Sequence, residues 1–271
     1  MTTFEVVRRR KVPGRRPKLQ VVDAAGPRRK EATSRRSNTV NLIEAAYERI
    51  EALIVSCELA PGSEMSMQHL QDLTGLGRTP VHHAVNRLAL DTLIVVRPRQ
   101  GLRIAPIDLA RERLLLSLRK DIERFVIELA TERSNASHRN QMLHLSRVLS
   151  ERREGMTIDA FNEIDRRIDA LLLSAAGEPF LENTLRPLHT IFRRTGWLYH
   201  RQMAEGLHLD GTIDRHLAIL NAVIARQVES ALQASDGLIA FVDEMFEKLE
   251  ARIDPSLLDI SVQPLDVPLR S

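Results

Sequence analysis

The chain has 271 residues, of which 43% are hydrophobic but only 4% aromatic, and a net charge of +3. That length suits one or two domains, and the Leu-, Ile- and Ala-rich composition favours helices over a large sheet. No run of about 18 apolar residues is present to span a membrane, the charged N-terminus lacks the apolar core of a secretory signal, and Cys57 as sole cysteine excludes an intrachain disulfide or thiolate metal cluster. A soluble, cytoplasmic, mainly α protein is expected.

The charge is unevenly spread. Residues 1–36 hold 12 Lys and Arg against three acids, while the remainder holds 27 against 33. With Pro13, Gly14, Pro17, Gly26 and Pro27 among the charges, residues 1–38 read as a basic disordered arm. Such an arm on an acidic body suits phosphate attraction that depends on salt and ignores sequence; a solvated tail is the plainer reading.

A first helix is predicted from about Val40 to Ser56, buried through Ile43, Ala46, Tyr47, Ile50 and Ile54. Ala60-Pro61-Gly62 makes a turn. Ser66 can cap a second short helix carrying Met67, Leu70 and Leu73, and Gly75-Leu76-Gly77 ends it. Thr79 as cap and Pro80 at the first helical position open a third. Its apolar stripe is Val81, Ala84, Val85, Leu88 and Ala89, which leaves Arg78, Thr79, His82, His83, Asn86 and Arg87 on the other face. Cationic and amide side chains there suit the DNA major groove, although a helical hairpin with a solvated face would look the same. Two β-rich runs, Leu93–Val96 and Leu102–Ala105, flank a turn bearing Arg97, Arg99, Gln100 and Gly101, with Arg103 beyond. Three helices and a basic-tipped hairpin make a winged helix-turn-helix, whose wing can follow phosphates or enter the minor groove.

From Asp108 on the pattern is helical. Leu114, Leu118, Ile122, Phe125 and Leu129 mark the expected buried side of the first of six helices. The others fall at about 137–154, 158–175, 178–204, 212–225 and 227–251, broken at Gly155, Gly177 and Gly206–Gly211. The division is therefore a basic arm at 1–38, a winged helix-turn-helix DNA-binding domain at 39–106, a C-terminal all-α bundle at 107–253 and a flexible tail at 254–271.

Tyr47-x-x-Ile50, Leu59-Ala-Pro-Gly62, Gly77-Arg-Thr-Pro-Val81, Ala84-x-x-Arg87-Leu88 and Arg97-Pro-x-x-Gly101 resemble the DNA-binding domain of the GntR family of bacterial transcription regulators. The resemblance implies Arg78 and Thr79 as base or phosphate contacts and Gly101 as the wing-tip glycine. The chain departs from the family at His82-His83, where Arg-Glu is usual, and at Cys57 and Thr92, where Gly is usual. Imidazoles at the groove imply operator affinity that rises as pH falls from about 8 to about 6.

The helical half resembles the FCD-type effector domain of the FadR subfamily through Leu118-Arg119-x-x-Ile122-Glu123, Asp165, Ala175-Ala176-Gly177 and His216-x-x-Ile219. There the resemblance implies a divalent metal held by one Asp and three His, and a small organic-acid effector. Asp165 and His216 match two ligands, Asp169 replaces a His at i+4, and Leu238 falls at the fourth. Asp165, Asp169 and His216 are thus the candidate metal ligands and, with Arg119, the candidate effector contacts; a metal-free polar pocket is the alternative. Arg119 could clamp a carboxylate or pair with Glu123. His189, Arg193 and His200, on the fourth of the six helices, step by 4 and 7 and could share a face with the cavity. The expected function is a homodimeric repressor, not an enzyme, that binds a palindromic operator in double-stranded DNA under an organic-acid effector. The alternatives are a metal-dependent enzyme using Asp165, Asp169 and His216, and a DNA-binding protein that has lost its effector response.

Overall fold

The computed structural model describes residues 28–202 and 209–261. Helix α1 spans Arg28–Val55 and so starts inside the stretch expected to be a disordered arm. Between Arg28 and Val55 the sequence has no Pro or Gly and is rich in Arg, Glu and Ala, so nothing stops the helix before Pro27. Residues 1–27 of the arm lie outside the described residues.

From Val40 onward the chain is one compact unit containing two hydrophobic clusters. The first joins Tyr47, Ile50 and Ile54 of α1 to Leu70 of α2 (Met67–Thr74) and to Val81, Ala84, Val85 and Leu88 of α3 (Arg78–Leu90). Local chemistry sets these bounds. Ser66 accepts the His69 amide at 3.1 Å at the start of α2, and Gly75 closes it in the left-handed conformation that lacks a Cβ penalty. Helix α3 starts earlier than expected: Gly77 is its cap, and Thr79 does not cap it. Pro80 is tolerated two residues deeper, at the third helical position, because first-turn amides have no intrahelical acceptor anyway. Three antiparallel strands complete this half: β1 (Glu64–Met65), ahead of α2, and β2 (Ile94–Arg97) and β3 (Gly101–Ile104), after α3, in the order β1-β3-β2. Arg97 faces Gly101 across the hairpin that forms the wing.

The second cluster is built from α4 (Leu109–Arg133), α5 (Ala136–Glu151), α6 (Ile158–Ala176), α7 (Pro179–Gln202), α8 (Asp210–Ile224) and α9 (Val228–Arg252). Asp108, Asn135 and Thr157 cap α4, α5 and α6. The expected buried stripe of α4 is overturned at three positions: Leu114, Leu118 and Phe125 are 73%, 50% and 50% exposed. The helix instead turns Leu116, Arg119, Glu123, Val126 and Ile127 inward, because Arg119 and Glu123 satisfy each other and can be buried together.

Helix α7 joins the two clusters. Ile191 packs in the first and Phe192 in the second. Thr190 donates to Glu51 of α1, and Arg194 donates to the Ala105 carbonyl at 2.8 Å in the segment leading to α4. The expected flexible tail is also partly ordered. Asp254 caps α10 (Pro255–Leu258), and the Ile107 and Ile260 amides bond to Leu258 and Pro61 carbonyls at 2.8 and 3.0 Å. Residues 262–271 lie outside the described residues.

Candidate nucleic-acid interface and effector cavity

The buried stripe of α3 fixes what it presents outward. Val81, Ala84, Val85 and Leu88 are fully buried, so Arg78, Thr79, His82, His83 and Asn86 are exposed together. Asn86 Nδ2 lies 3.3 Å from His82 Nδ1, and the His82 and His83 rings meet edge to face. Arg87 belongs elsewhere. It donates to Glu44 at 2.6 Å and its guanidinium lies 3.9 Å from the Tyr47 ring centroid, so it ties α3 to α1. In the wing, Arg99 and Gln100 are exposed at the turn, whereas Arg97 is paired with Glu64 at 2.7 Å. Gly101 is not at the tip. It opens β3 with φ +103°, and a Cβ there would lie 2.7 Å from the Met65 carbonyl oxygen. The close approach that requires glycine is therefore to β1 of the same sheet.

Among the helices of the second cluster lies a cavity of about 60 Å³. Arg119, Asp165, Asp169, His189, Arg193, His200 and His216 all line it, together with Phe161, Phe192, Phe241 and Phe246. His189, Arg193 and His200 do share one face of α7. Arg193 was the side chain whose role the sequence hid: its Nε donates to Asp165 at 2.9 Å and its Nη2 to Asp169 at 2.6 Å. Its Nη1 lies 4.0 Å from Glu51. His216 Nε2 is 2.9 Å from the other Asp165 oxygen, and its Nδ1 is 2.7 Å from the Thr212 carbonyl.

Arg119 does pair with Glu123, its Nε donating at 3.0 Å, and His189 Nε2 lies 2.9 Å from the same carboxylate oxygen. Burial pushes Glu123 up, but His189 and Arg119 outweigh it and lower the carboxyl to about 2. Only Nε of Arg119 is engaged. Its terminal nitrogens make no hydrogen bond among the described residues, and the side chain lines the cavity over the Phe192 ring.

The other charges follow from burial and neighbours. Asp165 is pushed up by burial, but the His216 hydrogen bond and Arg193 outweigh that and hold it low. Asp169 is raised by burial and by Asp165 beside it. His216 loses by burial but is raised overall through Asp165. His200 has no carboxylate beside it among the described residues; burial lowers it to about 4, and Nε2 meets the Thr212 hydroxyl at 3.0 Å.

These residues do not fit a divalent metal. The oxygens of Asp165 and Asp169 that would ligate it are taken by a guanidinium on the protein itself, and Leu238 lines the cavity where a fourth ligand would be needed. Among the described residues no cluster of His, Cys, Asp and Glu has metal-binding geometry. The metal-enzyme alternative loses its candidate centre for the same reason, since Asp165 and Asp169 act as partners of Arg193.

Residues 42–104 match the family model for bacterial regulatory proteins of the gntR family, and residues 114–241 match the FCD domain. The HTH-type transcriptional repressor RspR of Escherichia coli K12 is 27% identical over 69% of this chain and 81% of its own length. The HTH-type transcriptional regulator BphR of Paraburkholderia xenovorans is 24% identical over 71% of this chain and 80% of its own. Among solved structures, E. coli McbR/YncC superposes with a TM-score of 0.67 at 16% identity, over 77% of this chain and 98% of that one. A GntR-type regulator from Rhodococcus sp. RHA1 gives 0.56 at 15% identity, over 79% of this chain and 98% of that one. These two show the shared fold.

Proposed function

Because the chain belongs to the GntR-type transcription regulators with an FCD effector-binding domain, we propose that it is a cytoplasmic, homodimeric repressor that a small carboxylate releases from a palindromic operator. The observation that carries this reading is α7. One side of the helix lines the cavity through His189, Arg193 and His200. The other touches the DNA-binding half through Thr190, Ile191 and Arg194. A ligand that favours one placement of α7 would shift the placement of α3, and it can do so only to the extent that its affinity differs between the two.

Arg119 offers the anchor, with Nε fixed by Glu123 and its terminal nitrogens open to the cavity. A guanidinium so held can meet a carboxylate with two hydrogen bonds. The apolar, Phe-lined remainder and the small volume suit an acid of a few carbons. The row Leu114, Leu118 and Phe125 on α4 is the face we assign to a second copy of the chain, because an exposed apolar row of this size marks an interface. Twofold pairing would then set two α3 helices on successive major grooves.

Footprinting on the DNA flanking the gene, with and without two- to four-carbon carboxylates, tests the reading. We expect a protected palindrome, its loss on adding one of the acids, and retention of that protection in Arg119→Ala. Absence of a protected palindrome at every salt concentration would remove the operator reading. Equal release of wild type and Arg119→Ala would remove Arg119 as the anchor.

A further inference from the structure

The cavity is lined by a network of buried charge. Asp165 and Asp169 line it with Arg119, Arg193, His189 and His216, and Glu123 and Glu51 outside the lining pair with Arg119, His189 and Arg193. Buried carboxylates persist only when paired and hydrogen-bonded. At the centre of the group is Arg193, whose side chain is 5% exposed and which reaches Asp165 at 2.9 Å, Asp169 at 2.6 Å and Glu51 at 4.0 Å.

We propose that the Arg193 guanidinium is the permanent cation of this cavity, standing where related domains hold a divalent metal, so that this sensor works without metal and gains a metal site only when that guanidinium is removed. The argument is geometric. A divalent ion would have to sit about 2.0–2.6 Å from the carboxylate oxygens, and guanidinium nitrogens already lie 2.9 and 2.6 Å from oxygens of Asp165 and Asp169. Two cations sharing the same oxygens in a buried site would repel strongly, because little solvent screens them. The fork of an arginine also satisfies two carboxylates at once, which a lysine cannot do with the same fixed geometry.

A cation that belongs to the chain cannot exchange with the medium. It is also attached to α7, next to Arg194, which holds the Ala105 carbonyl, and within reach of Glu51 on α1. What a metal would do by binding, this domain does at folding, and metal supply drops out as a signal. The inference rests on the effector-cavity reading for its location, yet its test uses neither effector nor DNA, so the two can fail separately.

Purified full-length wild type, Arg193→Ala, Arg193→Gln and Arg193→Lys are dialysed against EDTA and then melted with and without Zn²⁺, Mn²⁺ or Ni²⁺ in about tenfold molar excess, with metal content measured by mass spectrometry. Wild type and Arg193→Lys are expected to carry no stoichiometric metal and to move by less than about 1 °C. Arg193→Ala and Arg193→Gln, in which Asp165, Asp169 and His216 lose their internal cation, are expected to take up one metal per chain and to gain about 5 °C or more. Stoichiometric metal in the wild type, or a wild-type melt that EDTA lowers and metal restores, overturns the proposal even if the neutral variants fail to fold. So does a folded Arg193→Ala or Arg193→Gln that ignores all three metals.

Discussion

Arg103 of the wing strand holds Asp259, a residue beyond the last long helix, through contacts of 3.0 and 2.8 Å from one guanidinium nitrogen to both carboxylate oxygens. The same Arg103 donates through Nε to the Gly62 carbonyl at 3.2 Å. Gly62 has φ +80°, and a Cβ there would lie 2.0 Å from the Asp259 carboxylate. Carboxylate, glycine and arginine therefore form one fastening between the C-terminal segment and the base of the wing. A basic residue next to the wing tip is thus spent inside the fold.

Asp259→Ala should lower stability by roughly 0.5–1 kcal/mol, since the pair is partly solvated and screened. Gly62→Ala should cost more, about 2 kcal/mol, because it adds left-handed strain and displaces the carboxylate as well. Thermal melts at low and high salt check this. High salt should remove the ion-pair part of both losses, so the Asp259→Ala loss should shrink while the strain part of the Gly62→Ala loss persists. An Asp259→Ala loss that salt does not change would mean that the fastening is not electrostatic.

The arginines of α3 divide into two roles. Arg78 is exposed beside Thr79 at the start of the helix, whereas Arg87 is bound to Glu44 and stacked on Tyr47. Arg78→Ala should weaken operator binding by about 1–3 kcal/mol without moving the melting temperature. Arg87→Ala should lower the melting temperature by a few degrees and reduce DNA affinity only as far as it loosens α3 against α1. Gel-shift titrations beside melts of the same samples separate them. The division fails if Arg87→Ala loses affinity at unchanged stability.

Glu112 gives the chain a pH dependence whose sign is fixed by burial. It is buried on α4, accepts the Thr195 hydroxyl, and is pushed up to about 7 by burial, only partly offset by Thr195, Arg194 and Arg111. With its folded pKa above the unfolded value of 4.5, its contribution is intact below about pH 4.5 and is lost as pH rises to about 7. His200 runs the other way. Lowered from 6.5 to about 4, it favours the fold above pH 6.5 and loses that as pH falls towards 4. Between pH 4.5 and 6.5 these two contributions run in opposite directions. Glu112→Gln keeps an acceptor for Thr195 without a buried charge. It should be the more stable protein at pH 8, by up to about 3 kcal/mol, and equal to wild type near pH 4.5. Denaturant melts at the two pH values decide it; a variant less stable at pH 8 than wild type would show that the ionised carboxylate is stabilised where it sits.

Much of the DNA-binding half was legible because its signals are local. The Ser66 cap, the Gly75 stop and the stripe from Val81 to Leu88 act within one or two helical turns, and each is found in place. The stripe of α4 was misread because periodicity reports an apolar row, not what covers it. Leu114, Leu118 and Phe125 form such a row, but the helix buries the Arg119–Glu123 side. The cavity was legible as far as Asp165, Asp169 and His216. Arg193 as their partner was not, because that pairing spans 24 and 28 residues and depends on how α6 and α7 pack. The Arg103–Asp259 contact, across 156 residues, had no signal at all.

Two departures from the family's sequence have a direct backbone consequence. Cys57 and Thr92, which stand where the family usually has Gly, have φ +53° and +63°. Left-handed backbone costs an L-residue about 1–2 kcal/mol, and a β-branched side chain suffers most. Thr92 ends the turn after α3, and its hydroxyl accepts from Arg111 at 3.0 Å on the exposed surface. Thr92→Gly relieves the strain but loses that bond and adds freedom to the unfolded chain, which offsets part of the gain. Thr92→Ala loses the same bond and keeps the strain. The difference between the two variants therefore isolates the backbone, and Thr92→Gly should exceed Thr92→Ala by about 0.5–1 kcal/mol, or about 2–4 °C in the melting temperature. A Thr92→Ala variant as stable as Thr92→Gly would show that the turn holds its left-handed residue without strain.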